Sequence, residues 1–458
     1  MKFAFDAIVV GAGQAGPSLV SRLTGAGRRV AMVERKLFGG TCVNTGCTPT
    51  KAMVASAHAA HLARRGGDFG IKSGPVDVDM RAVKARKDTI VGNSRSGLEK
   101  SLRENRNCTV FTGTAAFASP TTLRVGDDLL EAPQVFLNVG ARPLVPDIPG
   151  VDVAPFLTST SILDLEELPA HLIVVGGGYV GLEFAQMFRR FGSQVTVVDK
   201  KARLAAHEDK DASRVIHEIF ASESIAIRIN ANCIHLEPER GGVRVGIACD
   251  EGAPHIDGSH VLLAVGRVPN TDDLNLAAAG LKTDEHGFIP VDDRLCTAVS
   301  GIYAIGDCNG RGAFTHTAYN DFEIVAENLL DGASRLVSDR IPAHALYIDP
   351  PLARIGMSEE EVRKSGRRTL IGFRPMTRVS RAIEKGETFG FIKVLVDAES
   401  QQILGATVFG SGGDEAVHCL LTAMYAHQPA SLLTHSVHIH PTVAELIPTT
   451  LESLKPLE

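Results

Sequence analysis

No run of this 458-residue chain approaches the roughly 20 continuous apolar residues that a membrane-spanning helix needs. A basic block is also missing. With a formal net charge of −6, the composition gives no footing for a nucleic-acid partner. Cysteine is scarce: eight in 458 residues are too few for a secreted disulfide framework. Cys108, Cys233, Cys249, Cys296, Cys308 and Cys419 have no CxxC partner and no zinc-ligand spacing, and are expected to be small buried hydrophobes. Lys2 and the apolar residues after it imitate a leader peptide, but Ile8-Val9-Val10 runs straight into Gly11, as a first strand would. No targeting segment is expected, and a soluble cytoplasmic protein is the default. What is present suffices for a large core: 44% of residues are apolar and 22% charged. The length suggests about three domains.

The remaining two cysteines stand together in Gly39-Gly40-Thr41-Cys42-Val43-Asn44-Thr45-Gly46-Cys47-Thr48-Pro49-Thr50-Lys51. Two thiols four residues apart, beside a glycine-rich turn and a lysine, suggest a redox disulfide. A regular helix would separate residues i and i+5 by roughly 7.5 Å along its axis, whereas a disulfide needs Cα atoms within about 7 Å. The segment must therefore be irregular, and Asn44, Gly46 and Pro49 supply the irregularity. Thr48 as N-cap and Pro49 at the first helical position would set Cys47 just ahead of a helix N-terminus. The helix dipole and Lys51 would there favour a thiolate.

The chain also repeats a nucleotide motif. A short β-rich run, Phe5 to Val10, meets Gly11-Ala12-Gly13-Gln14-Ala15-Gly16; a helical pattern with Leu19, Val20 and Leu23 follows, then a second strand that ends on Glu34. Gly11 permits the tight turn, Gly13 lets a pyrophosphate approach the backbone, and Gly16 allows close helix–strand packing. The helix N-terminus faces the phosphates, and Glu34 suits ribose hydroxyls. His171 to Val175 leads in the same way into Gly176-Gly177-Gly178-Tyr179-Val180-Gly181, and Gln194 to Val198 ends on Asp199. Gly11, Gly13, Gly16 and Glu34 match Gly176, Gly178, Gly181 and Asp199 at one common offset of 165 residues. Two dinucleotide-binding units in one chain point to electron transfer between two cofactors. The cysteine pair follows Glu34 directly, and a nicotinamide is poorly matched to a disulfide, whereas a flavin can accept hydride and pass both electrons on. FAD is therefore expected in the first unit and a nicotinamide nucleotide in the second.

With these features the chain resembles the class I pyridine nucleotide–disulfide oxidoreductases, in particular their mercuric reductase and dihydrolipoamide dehydrogenase branch. The resemblance spans essentially the whole length. It rests on Gly39 to Lys51, Gly113-Thr114-Ala115-Ala116-Phe117, Asn138-Val139-Gly140-Ala141-Arg142-Pro143, Val265-Gly266-Arg267-Val268-Pro269-Asn270, Tyr303-Ala304-Ile305-Gly306-Asp307, and His440-Pro441-Thr442 with Glu445. It implies that Cys47 faces the flavin and that Cys42 is the interchange thiol that attacks substrate. Lys51 would lie by the flavin and pair with Glu183, and Tyr179 would cover the flavin and move as NAD(P)H enters. His440 would be the general acid/base, supplied across a homodimer interface and held by Glu445; its near-neutral pKa suits thiol exchange. FAD would be bound by Gly11, Gly13, Gly16, Glu34, Gly40, Thr41, Lys51, Ala115, Gly140 and Asp307. NAD(P) would be bound by Gly176, Gly178, Gly181, Asp199 and Gly266.

Plainer readings stand beside some of these roles. Glu445 completes a capping box with Thr442, Asp307 follows a strand-like run and could cap a helix, and Tyr179 could simply pack on a sheet edge. His438 and His440 alternate as strand neighbours would, but with His435 they lack a partner completing a metal site, so no metal is expected.

The implied fold is α/β: two Rossmann-like domains, for FAD (1–150 and 270–341) and NAD(P) (151–269), and a C-terminal α+β dimerisation domain (342–458). Phe389 to Asp397 and Gln402 to Val408 read as its antiparallel strands. Asp199 favours NADH over NADPH, although Lys200, Lys201 and Arg203 follow it. The helix Ala57 to Arg65 looks like that of mercuric reductases, yet the C-terminal segment lacks their paired cysteines and no N-terminal metal-binding domain is seen. A disulfide or dithiol substrate leads; a soft metal ion such as Hg(II) or Cu(II) is the second reading. A non-catalytic flavoprotein subunit of a larger assembly is the third, and binding alone requires none of Cys42, Cys47, His440 and Glu445.

Overall fold

The two glycine motifs lie at the ends of central strands in two parallel sheets of the same design. A computed structural model describes residues 1–248 and 252–458; Cys249 lies outside the described residues. One five-stranded sheet runs in the order Ile302–Ala304, Val135–Leu137, Ala7–Val10, Val30–Glu34, Cys108–Thr112. The other runs Leu157–Thr158, His260–Leu263, His171–Val175, Gln194–Val198, Ala226–Arg228. All pairings in both are parallel. Their apolar runs, Ala7–Val10 and Val30–Glu34 among them, are buried throughout, as sheets covered on both faces require. After the first motif, helix Gly16–Gly25 takes Pro17 near its start, where a missing N–H costs little, and buries Leu19, Val20 and Leu23.

The chain passes from the first sheet to the second and back beside one short antiparallel pair, Ala141–Pro143 with Arg267–Pro269. Strand Ile302–Ala304 then joins the first sheet beside Val135–Leu137. The C-terminal part is different. A six-stranded sheet, antiparallel at every pairing, orders Ala343–Leu346, Leu352–Gly356, Ile403–Phe409, Phe391–Asp397, Thr369–Pro375, Lys455–Pro456. The molecule is thus mixed α/β, with two Rossmann-like units and an α+β unit.

Helix Cys47–Arg64 sits where these parts meet. Its Met53 and Ala57 share one core with Leu182, Phe184 and Phe188 of the second unit and with Phe391 and Phe409 of the antiparallel sheet. The residue at its N-terminus is therefore aimed at the junction of all three parts.

Four expectations need correction. Thr48 does not cap this helix: the helix begins at Cys47, and Gly46 is the N-cap, with a backbone (φ −132°, ψ −120°) that breaks it from helix Gly40–Thr45. Pro49 is the third helical residue, not the first; its missing N–H falls among those a first turn leaves unpaired in any case. Among the five other described cysteines only Cys108 and Cys308 are buried, whereas Cys296 and Cys419 are half-buried and Cys233 is exposed. Cys233 lies at a bulge in the Asn232–Glu239 strand, where the register shift turns it outward. His438 and His440 lie in an irregular segment and not on a strand.

Candidate active site

The two glycine loops are closed by the same hydrogen bonds. Gly11 and Gly176 adopt φ of +101° and +118°, a region open to glycine and costly for other residues. A Cβ on Gly16 would meet the Gly11 carbonyl oxygen at 2.2 Å, and one on Gly181 would meet that of Gly176 at 1.9 Å. The acids that follow close each loop: Glu34 accepts from the N–H groups of Ala12 and Lys36, both at 2.8 Å. Asp199 accepts from Gly177 at 2.5 Å and Lys201 at 2.7 Å. One carboxylate oxygen goes to each amide, and each oxygen retains a lone pair for a ribose hydroxyl.

A cavity of about 1120 Å³ extends from the first loop, above the roughly 300–1,000 Å³ of ordinary ligand pockets. Its walls carry Gly11, Gly13, Glu34, Gly40, Thr41, Ala115, Gly140 and Asp307, together with Cys42, Cys47 and Lys51. Gly16 stands behind the wall, where its N–H donates to the Asn138 side chain at 3.0 Å. A Cβ on Gly13 would come 2.9 Å from Asn138 Oδ1, and one on Gly40 would come 2.8 Å from the Gly13 Cα. A cradle of bare backbone leading to two thiols fits an extended dinucleotide with a redox ring, and FAD fits it.

At the far end the thiols are free and hydrogen-bonded to each other. Cys47 Sγ also lies 3.1 Å from Thr315 Oγ1, at the start of helix Thr315–Leu330. The Cys42 hydrogen bond, then those of Thr315 and the charge of Lys51, outweigh burial and lower the Cys47 thiol to about 6. Cys42 is pushed the other way, by giving its hydrogen bond to Cys47 and by burial. One proton is thus held on Cys42 while Cys47 carries the charge.

Lys51 Nζ pairs with Glu183 at 2.7 Å and lies 4.6 Å from the centre of the Tyr347 ring. The other Glu183 oxygen accepts from the Tyr347 N–H at 2.9 Å. Tyr179, first residue of helix Tyr179–Phe191, lines the same cavity, and its hydroxyl donates to Glu208. Asp307 opens a short 3₁₀ turn but makes no capping hydrogen bond. Burial raises its pKa against the pull of Arg267, whose guanidinium is 3.5 Å away and also donates to the Ala141 carbonyl.

His440 and Glu445 are not brought to this cavity within one chain. His440 Nδ1 lies 2.9 Å from Glu445 Oε2 on an exposed segment, with Val437 and Ile439 also facing outward. Glu445 and Thr442 exchange the two hydrogen bonds of a capping box, at 3.2 and 3.4 Å, but in a turn that precedes helix Leu446–Glu452 and caps no helix at Thr442. The second-unit residues Gly176, Gly178, Gly181, Asp199 and Gly266 lie off the cavity wall, and the unit reaches the cavity through Tyr179, Val180, Glu183 and Phe184. Among the described residues no His, Cys, Asp and Glu group is placed to hold a metal ion.

Sequence reasoning missed Thr315, Asn138, Arg267 and Tyr347. Asn138 and Arg267 sat inside motifs already noted, so their positions were marked but not their contacts. Thr315 and Tyr347 carry no local signal, because the chain reaches Cys47 and Lys51 from about 300 residues away only by folding.

The geometry has counterparts. A model for the pyridine nucleotide-disulphide oxidoreductases matches residues 5–321, and one for their dimerisation domain matches residues 342–451. The probable pyridine nucleotide-disulfide oxidoreductase RclA of Escherichia coli (strain K12) is 34% identical over 450 residues, 96% of this chain and 97% of that one. A dihydrolipoyl dehydrogenase of Chlamydia muridarum (strain MoPn / Nigg) is 31% identical over 451 residues, 97% of this chain and 96% of that one. A mercuric reductase of Streptomyces lividans is 32% identical over 449 residues, 97% and 94% respectively. Among solved structures, the Cu(II) complex of the HOCl-induced flavoprotein disulfide reductase RclA from Escherichia coli superimposes with a TM-score of 0.90 at 32% identity, covering 98% of this chain and 99% of that one.

Proposed function

This chain belongs to the pyridine nucleotide-disulphide oxidoreductases, NAD(P)H-dependent flavoprotein oxidoreductases, and within that family we propose that it reduces a small disulfide, or oxidises the matching dithiol, through Cys42 and Cys47. The observation that carries this reading is the thiol pair itself: Cys42 and Cys47 hydrogen-bond to each other on the cavity wall, with Thr315 Oγ1 3.1 Å from Cys47 and the Lys51–Glu183 ion pair on the same wall. The FAD site is the cradle from Gly11 to Gly140, with Glu34 and Asp307, and the second unit takes the nicotinamide nucleotide. When bound, the flavin supplies two-electron transfer between NAD(P)H and the sulfur pair.

In the reduced pair Cys42 keeps its proton and needs a base to attack. His440 of a second copy is suited to that task, with Glu445 fixing its Nδ1 and leaving Nε2 free for the proton. The Cys42 sulfur then attacks one substrate sulfur, and the leaving thiolate takes the proton back from the imidazolium. Cys47 attacks the Cys42 sulfur of the mixed disulfide, which closes Cys42–Cys47 and releases the second sulfur as a thiolate that takes its proton from water. Two electrons leave the pair and reduce the substrate disulfide. Lys51, held by Glu183, keeps positive charge beside the Cys47 thiolate. The domains follow as FAD-binding (1–150 and 270–341), NAD(P)-binding (151–269) and dimerising (342–458). Asp199 favours NADH because an acid there accepts ribose hydroxyls and repels a 2′-phosphate.

The Cu(II) complex of the RclA relative favours a second reading, reduction of a soft metal ion at the same two thiols. An anaerobic screen of dihydrolipoamide, glutathione disulfide, Hg(II) and Cu(II), with NADH and NADPH compared as reductants, separates the two. Turnover of a disulfide or dithiol, abolished in Cys42→Ser while NADH oxidation by a quinone acceptor survives, is the expected result. Turnover of a metal ion alone would replace the first reading by the second. In the reduced protein the thiolate absorbance assigned to Cys47 should titrate near pH 6. Cys42→Ala should raise that midpoint more than Lys51→Met, following the order of the causes.

A further inference from the structure

We propose that Glu208 is a positioning residue that tethers Tyr179 across the path of the nicotinamide nucleotide, so that entry of the nucleotide requires release of this tether. The inference rests on the reading that the second unit delivers its nucleotide to the Lys51–Glu183 end of the cavity. Tyr179 begins the helix that follows the second glycine loop, and its ring stands in the wall beside Lys51 and Glu183. A dinucleotide seated on Gly176–Gly181 reaches that end only by passing this ring.

The acceptor of the Tyr179 hydroxyl does not belong to the nucleotide loop alone. The Glu208 side chain is 1% exposed, and the oxygen that takes the tyrosine also takes His344 Nε2 at 3.1 Å. Arg354 Nε lies 3.5 Å from the other oxygen, which accepts no hydrogen bond. His344 and Arg354 lie on adjacent strands of the antiparallel sheet. Just beyond, Asp209 and Asp211 each hold the buried Lys393 ammonium at 2.8 Å, from a third strand of that sheet. Glu208 is therefore pinned by the C-terminal part, and the Tyr179 ring also packs on His344 at 5.6 Å. The Arg354 guanidinium and the His344 hydrogen bond keep the carboxylate compensated when the phenol leaves. A buried carboxylate with the phenol as its only partner would not release it, because an unpaired buried charge is costly. This one is built to let go.

Isothermal titration of NAD⁺ into the purified flavoprotein tests the tether without turnover. Tyr179→Phe, which removes only the hydroxyl, should tighten NAD⁺ binding on the order of tenfold, as expected for loss of a charge-assisted hydrogen bond that binding must break. Glu208→Gln, which keeps a weaker acceptor, should tighten it about threefold, and should add nothing in the Tyr179→Phe background. Unchanged or weaker binding in Tyr179→Phe, or additive effects in the double variant, would overturn the tether. A merely structural Glu208 would lower the melting temperature and leave the affinity unimproved, which also overturns it. Wild-type protein that binds neither NAD⁺ nor NADP⁺ would overturn the reading of the second unit together with the inference.

Discussion

The first and second nucleotide units fold their glycine loops alike and finish them differently. Asn138 follows strand Val135–Leu137 of the first sheet as Ala264 follows strand His260–Leu263 of the second, each donating its N–H to the strand that carries the motif. Their carbonyl oxygens stand where a Cβ on Gly11 or Gly176 would go, at 2.3 and 2.4 Å. There the likeness ends. The Asn138 side chain accepts from Gly16 at 3.0 Å and donates to Ile305 at 3.0 Å, a bolt through the loop that alanine cannot make. Glu34 is buried, whereas Asp199 is half-exposed and nothing stands within 4 Å of a Cβ on Gly178. A bolted, walled-in loop suits a group that stays, and an open loop suits one that comes and goes. On the proposed assignment of FAD to the first unit and NAD(P) to the second, the same backbone turn serves two residence times.

Substitutions that press on this contrast can be ranked. The largest effect should come from Gly16→Ala and Gly181→Ala, which drive a Cβ into the loop's own carbonyl at 2.2 and 1.9 Å. Each should cost about 3 kcal/mol, roughly a hundredfold in affinity. The first should show as lost flavin absorbance in the purified protein, and the second as lost NAD⁺ binding with flavin retained. Flavin lost from Gly181→Ala and kept in Gly16→Ala would exchange the two assignments. Asn138→Ala should come next. It leaves buried partners unsatisfied at Gly16 and Ile305, at about 1–3 kcal/mol, read as a lower urea midpoint and faster flavin loss. The smallest effect belongs to Asp199→Ser. Removing the acid beside Lys200, Lys201 and Arg203 should shift the kcat/KM ratio toward NADPH by roughly threefold to tenfold, about 1 kcal/mol. A ratio that does not move would take Asp199 out of nucleotide selection.

Much of this was legible in the linear chain. Both loops, both acids and the cysteine segment are contiguous, and local rules read contiguous residues well. The irregularity needed between Cys42 and Cys47 was foreseen, but its place was not: the break came at Gly46, so that Cys47 itself opens the helix. Thr48 and Pro49 look like a helix start in isolation, and packing of Met53 and Ala57 against two other parts of the molecule set the start earlier. Cys233 failed as a buried residue because a strand bulge, invisible in composition, turned it to solvent.

The sequence by itself determined the two nucleotide units, their common spacing and the pairing of two thiols with a nearby lysine, because each depends on backbone geometry over a few consecutive residues. Tertiary structure alone decided which hydroxyl joins Cys47, which ring lies over Lys51 and what holds Tyr179. Those outcomes depend on Thr315, Tyr347, Glu208 and His344, which lie far along the chain from the groups they touch. A hydrogen bond or a buried charge is set by distance in space, and only the folded chain fixes that distance.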